Sequence, residues 1–132
     1  EMDREVLKVV DCLIVNETEA SFYAGADMTD GDMVRAHADR LRQLTDGTVI
    51  VTLGSKGSML LEKEGVVPIE PVKVEHVTDS TGAGDSYIGA FAYGKYKGMT
   101  DRQACCFAAR AASVTVTKIG AQEAMPCLRE IN

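Results

Sequence analysis

The stretch Asp79-Ser-Thr-Gly-Ala-Gly-Asp85 sets two glycines and an acid at the head of an apolar helical pattern, Ser-Tyr-Ile-Gly-Ala-Phe-Ala-Tyr93. Gly82 and Gly84 allow the backbone positive φ and close approach to a ligand. The first N–H groups of a helix lack internal acceptors, and the helix dipole favours negative charge beside them. Gly82, Ala83 and Gly84 can therefore present an anion hole, with Asp85 in the first turn to take a proton from a hydroxyl. That is equipment for moving a phosphoryl group. A loose transition state asks little of the base beyond orienting the nucleophile, while the donors stabilise charge on the transferred group. A plainer reading also stands: Ser80 or Thr81 caps the helix, the glycines form a tight turn, and Asp85 only complements the dipole. The segment is neither a Walker loop nor a G-x-G-x-x-G fingerprint, since Tyr87 occupies the third glycine's place.

Two further segments could serve the same chemistry. Asn16-x-x-Glu19 follows an apolar run and could hold Mg²⁺ near a phosphate through oxygen ligands and water. The same pattern is a helix capping box, and a capped helix end can still present its acid. Thr52-Leu53-Gly54-Ser55-Lys56-Gly57 leaves a second apolar run with two glycines, a hydroxyl and a lysine, at the edge where open α/β sheets bind ligands. Its plainer reading is a turn into the next strand. Lys95 and Lys97 read as a solvated helix face.

The elements that must position these residues follow from periodicity. Residues 2–10 read as the end of a helix, and Glu1 falls inside it, as though the sequence continued a longer one. Cys12–Val15 and Thr48–Thr52 read as buried strands. Between them lie a short helix from Asn16 to about Ala24 and an amphipathic helix over Gly31–Leu44, which implies a right-handed βαβ crossover in a mainly parallel sheet. Ser58–Glu62, a Lys63-Glu-Gly65 turn and Val66–Ile69 read as a hairpin, with Pro68 and Pro71 marking an edge. Val72–Val77 reads as one more strand. Helices over 83–97 and 101–116 close the pattern, the second rich in small alanines. The whole reads as one α/β unit.

At 132 residues, with 45% apolar and 26% charged residues, the chain can bury a core without metal or disulfides. A net charge of −6 argues against broad binding to nucleic acid or an anionic membrane, so an anionic ligand needs a local site. Cys12, Cys105, Cys106 and Cys127 show no metal spacing with His37 or His76, and suit a reducing, cytoplasmic compartment. Neither a signal peptide nor a bilayer-length apolar run is evident.

Taken in order, Asn16-Glu-Thr-Glu-Ala20, Thr52–Gly57, Asp79–Ser86 and Gly120-Ala-Gln122 resemble the C-terminal half of a ribokinase-like sugar kinase of the PfkB family. The resemblance implies a three-layer α/β fold and ATP-dependent phosphorylation of a sugar hydroxyl. Asp85 would be the catalytic base, and Gly82, Ala83 and Gly84 the anion hole. Asn16 and Glu19 would form the magnesium and phosphate motif, with Thr52–Gly57 along ATP and Lys56 near its phosphates or ribose. Asp79, with carbonyls near Thr81, Val116 and Gly120, would resemble the family's monovalent-cation loop, a site for K⁺. Family members are about twice this length, so the chain is expected to lack the substrate and lid half and to be a poor kinase alone. An apolar face left open there would let two copies pair. Competing expectations are a nucleoside kinase of adenosine type, a pyridoxal or hydroxymethylpyrimidine kinase, and a nucleotide-binding domain without catalysis.

Overall fold

A computed structural model describes residues 3–73, 82–115 and 117, in two compact units, 1–68 and 69–132. In the first unit, α1 (Arg4–Lys8) leads into β1 (Cys12–Asn16), whose apolar run extends beside β2 (Thr48–Thr52). The two strands are parallel and in register from Cys12 opposite Thr48 to Asn16 opposite Thr52. Parallel neighbours need a crossover. It is made by α2 (Glu17–Ala24), α3 (Gly31–Ala36) and α4 (Ala38–Arg42). Leu7, Met28, Val34, Leu41, Val49 and Val51 are fully buried in one cluster. Each such side chain contributes on the order of 2 kcal/mol by leaving water.

The single helix expected over Gly31–Leu44 is two short ones. His37 ends α3 and begins α4 with φ −116° and ψ 16°, outside the helical well. Its N–H is shared between the carbonyls of Met33 and Val34, both at 3.2 Å, and its ring Nδ1 lies 3.0 Å from the Met33 carbonyl. A shared donor of this kind tightens a last turn and re-aims the chain.

After β2 a short 3₁₀ turn (Gly54–Lys56) reverses the chain into β3 (Ser58–Glu62), which pairs antiparallel with β2. Gly57, at φ 91° and ψ −141°, takes a conformation closed to side chains and makes the reversal possible. With β4 (Gly65–Ile69) the sheet has the order β1-β2-β3-β4 and is mixed. Exposed Pro68 sits in β4, the edge strand, as expected of proline. Arg42 ties the hairpin to α4: its guanidinium donates to the carbonyls of Glu62 (2.8 Å) and Gly65 (2.7 Å) and to Asp39 (2.9 Å). Val72 and Lys73 are not in a strand, and the remainder of that expected strand lies outside the described residues.

Among the described residues, the second unit contains an antiparallel helix pair, α5 (Ala83–Tyr96) and α6 (Asp101–Thr115). The turn between them has both halves of a Schellman cap: the Met99 N–H donates to the Gly94 carbonyl (2.9 Å) and that of Gly98 to Lys95 (3.1 Å). Thr100 and Gln103 then form a reciprocal capping box for α6, at 3.0 and 3.2 Å. Ala104, Ala108 and Ala111 are buried, and their small size lets the helices approach closely. A Cβ on Gly94 would stand 3.2 Å from the Ala104 Cβ. Lys95 pairs with Asp101 at 2.8 Å across the turn.

Cys105 is buried in α6, and desolvation pushes its thiol up from 9.0 to about 11, against a hydrogen bond with Tyr87 that lowers it. An unfolded chain ionises this thiol first. The stability the buried thiol contributes is therefore full below pH 9 and lost as pH rises through about 11. The gap in melting temperature between the wild type and Cys105→Ala is expected to shrink across that window, read by thermal unfolding at stepped pH. Among the described residues, no helix is long and apolar enough to cross a membrane.

Candidate functional site

The first unit gathers its site residues at the carboxyl ends of β1 and β2. Asn16 ends β1 and caps α2: its Oδ1 accepts from the Glu19 N–H (2.9 Å), and Glu19 Oε2 accepts from the Asn16 N–H (3.0 Å). The capping box is thus formed, and it holds an exposed carboxylate at the strand end. Beside Asn16 in the ladder stands Thr52, whose hydroxyl donates to the Val15 carbonyl at 3.4 Å. Leu53 is buried, so it offers only backbone to a ligand.

The loop then closes on itself. Leu53 N–H donates to the Gly57 carbonyl (2.8 Å), Lys56 N–H to Leu53 (3.1 Å) and Gly57 N–H to Gly54 (3.1 Å). Gly54, Ser55 and Lys56 are exposed. Lys56, expected near phosphates or ribose, here donates its ammonium to the Thr29 carbonyl at 2.8 Å. An exposed lysine gives up such a bond cheaply. Glu17 also reaches this edge, with Oε1 3.9 Å from where a Cβ on Gly54 would be. The sequence showed two acids after Asn16 but gave no reason to choose Glu17.

The second unit carries the Gly-rich segment. Gly82 caps α5 from the left-handed region, φ 83° and ψ −3°, with no side-chain cap bond. The first helical bond runs from the Ser86 N–H to the Gly82 carbonyl at 2.9 Å. The N–H groups of Ala83, Gly84 and Asp85 precede it and so have no carbonyl within the helix. Gly84 is exposed, and a Cβ built on it meets nothing within 4 Å. Asp85 is exposed in the same turn rather than packed inside. Ser80, Thr81, Asp79, Val116 and Gly120, and with them the expected cation loop, lie outside the described residues. Among the described residues no three His, Cys, Asp or Glu side chains cluster as a metal site. Glu19 supplies an exposed carboxylate at the end of β1, which suits a hard cation bound mostly through water.

Residues 1–128 match the family described as pfkB family carbohydrate kinase. The chain belongs to that family. Ribokinase of Staphylococcus aureus (strain COL) is 35% identical over 132 residues, covering 99% of this chain and 43% of that protein. Ribokinase of Arabidopsis thaliana, solved in complex with ribose and ATP, matches with a TM-score of 0.86 at 34% identity, over 98% of this chain and 42% of that one. Ribokinase of Thermotoga maritima gives 0.83 at 30% identity, over 98% of this chain and 43% of that one. The fold is therefore the ribokinase-like α/β fold, and the chain spans less than half the length of these relatives.

Proposed function

We propose that these 132 residues are the nucleotide-binding and catalytic-base portion of an ATP-dependent carbohydrate kinase, with a pentose as the first acceptor to test. The reading rests on one observation above all: exposed Asp85 shares the first turn of α5 with amides that have no helical acceptor, behind a left-handed Gly82. Asp85 Oδ would accept the proton of the sugar hydroxyl as that oxygen attacks the terminal phosphorus of ATP, the bond to the bridging oxygen breaks and ADP leaves. The N–H groups of Ala83 and Gly84 would hold the transferred group's oxygens, and being fixed in advance they need no reorganisation. Gly82 sets the entry angle of the chain into that turn.

On the same reading, Thr52–Gly57 lies along ATP, with Lys56 exchanging the Thr29 carbonyl for a phosphate. Asn16 fixes Glu19, whose carboxylate would hold the hydration shell of Mg²⁺. Bound there, the cation would neutralise charge on the phosphates. K⁺ at the segment containing Asp79 belongs to the same proposal, as does a reducing, cytoplasmic setting suited to Cys12, Cys105 and Cys106, which are not joined in disulfides. ATP and sugar would be the partners. The relatives are more than twice as long, so the 132 residues by themselves are expected to bind nucleotide and turn over little sugar.

Calorimetry tests the reading. ATP should bind more tightly with Mg²⁺ than without, and Glu19→Gln should erase that difference while sparing metal-free binding. Affinity indifferent to magnesium in the wild type would remove the metal assignment, and no ATP binding at all would remove the function. A panel of pentoses, hexoses and nucleosides then separates a sugar acceptor from a nucleoside.

A further inference from the structure

Ser86 follows Asp85 directly, yet it faces inward. Its Oγ lies 2.6 Å from Oγ1 of Thr115, the last residue of α6, and the two residues are 5% and 0% exposed. The Thr115 hydroxyl also donates to the Ala111 carbonyl at 3.2 Å. Two hydroxyl contacts in series thus run from the first turn of α5 into the body of α6.

Among the described residues this hydroxyl pair is the first point at which a side chain ties α5 down. Gly82 makes no side-chain cap bond, Ala83 and Gly84 have no polar side chain, and Asp85 is exposed. Successive helical residues are about 100° apart around the axis, so fixing Ser86 fixes the heading of Asp85 and of the amides before it. Sliding or rotating the turn would break a buried hydroxyl–hydroxyl bond of 2.6 Å, which is unfavourable where water cannot replace it. The far end of the helix pair is held independently by the close approach of Gly94 to Ala104 and by the Lys95–Asp101 ion pair. Two fixed ends leave α5 little freedom to swing.

We infer that the Ser86–Thr115 hydroxyl pair is a positioning device that aims Asp85 and the amides of Ala83 and Gly84 at the transferred phosphoryl group. The inference rests on the kinase reading, and its test separates the two. Amide NMR shifts of the ¹⁵N-labelled chain are followed as ATP with Mg²⁺ is added, in the wild type, Ser86→Ala, Thr115→Val and Thr115→Ser. Thr115→Val keeps the volume and loses the hydroxyl, whereas Thr115→Ser keeps the hydroxyl and loses a methyl.

The wild type should show shifts at Gly54–Gly57 and at Ala83–Asp85. In Ser86→Ala and Thr115→Val those at Ala83–Asp85 should be lost while those at Gly54–Gly57 persist. Thr115→Ser should respond like the wild type even though the missing methyl lowers its melting temperature. A merely structural role would instead make the loss follow melting temperature, with Thr115→Ser among the impaired variants, and that result overturns the inference. Retention of the Ala83–Asp85 shifts in Thr115→Val overturns it too. So do wild-type shifts confined to Gly54–Gly57, which leave nucleotide binding intact. Absence of shifts at both segments in the wild type removes the kinase reading and the positioning role together.

Discussion

Asp85→Asn is expected to lower phosphoryl transfer to a sugar by roughly 10²–10⁴-fold, the usual contribution of a positioned base, while leaving ATP affinity close to that of the wild type. The amide is isosteric and keeps the turn in place, but it has no lone pair basic enough to receive the hydroxyl proton. The measurement is kcat for ATP-dependent phosphorylation, made at the length of the relatives this chain matches, with calorimetry as the binding control. A kcat reduced less than tenfold would place the proton elsewhere and reduce Asp85 to a complement of the helix dipole. Gly84 bears on the prediction, because among the described residues nothing stands within 4 Å of where its Cβ would be, beside the acid.

The second large effect is one of stability. Gly47, in the turn before β2, lies against the backbone of the segment before β1. A Cβ there would overlap the Asp11 carbonyl oxygen and stand 2.5 Å from its carbon and 2.6 Å from the Val10 oxygen. These are main-chain atoms held by several bonds. Thr45 Oγ1 donates to the Val10 carbonyl at 2.7 Å and accepts from the Gly47 N–H at 3.1 Å, and the Thr48 N–H donates to Asp11 at 3.0 Å. No flexible side chain can yield, so Gly47→Ala is expected to cost about 3 kcal/mol, at the upper end for overpacking. Urea unfolding checks it, and a change under about 0.5 kcal/mol, the range of ordinary surface substitutions, would contradict it. Because Thr48 opens the ladder that ends at Asn16 and Thr52, a shifted turn would also disturb that end of the sheet.

Much of this was legible in the residues, for physical reasons that can be named. Asn16 and Glu19 lie within one helical turn, so their reciprocal cap could be read from spacing alone. The Gly82–Asp85 turn was legible because glycine, glycine and acid are unusual company at a helix start. What stayed hidden depends on distance along the chain. Val34, Ala38 and Leu41 keep one apolar face through His37, and neither glycine nor proline marks the break there. Lys56 reaches the Thr29 carbonyl across 27 positions, which no local pattern announces. Gly47 was readable as a turn but not as a backbone contact. Ser86 and Thr115 each look like an ordinary polar residue on a helix, and only the folded pair shows two inward hydroxyls meeting. Local spacing marked the candidate residues, and the long-range contacts around them appear only in the fold.

The reversal at Gly57 has a practical consequence. Since β3 runs against β2, the bend at Lys63 and Glu64 falls at the amino ends of β1 and β2, roughly 15 Å (one five-residue strand length) from Asn16 and Thr52. Both residues of that bend are exposed, so a dye or purification handle grafted there would leave the edge that carries Asn16 and Thr52 unobstructed.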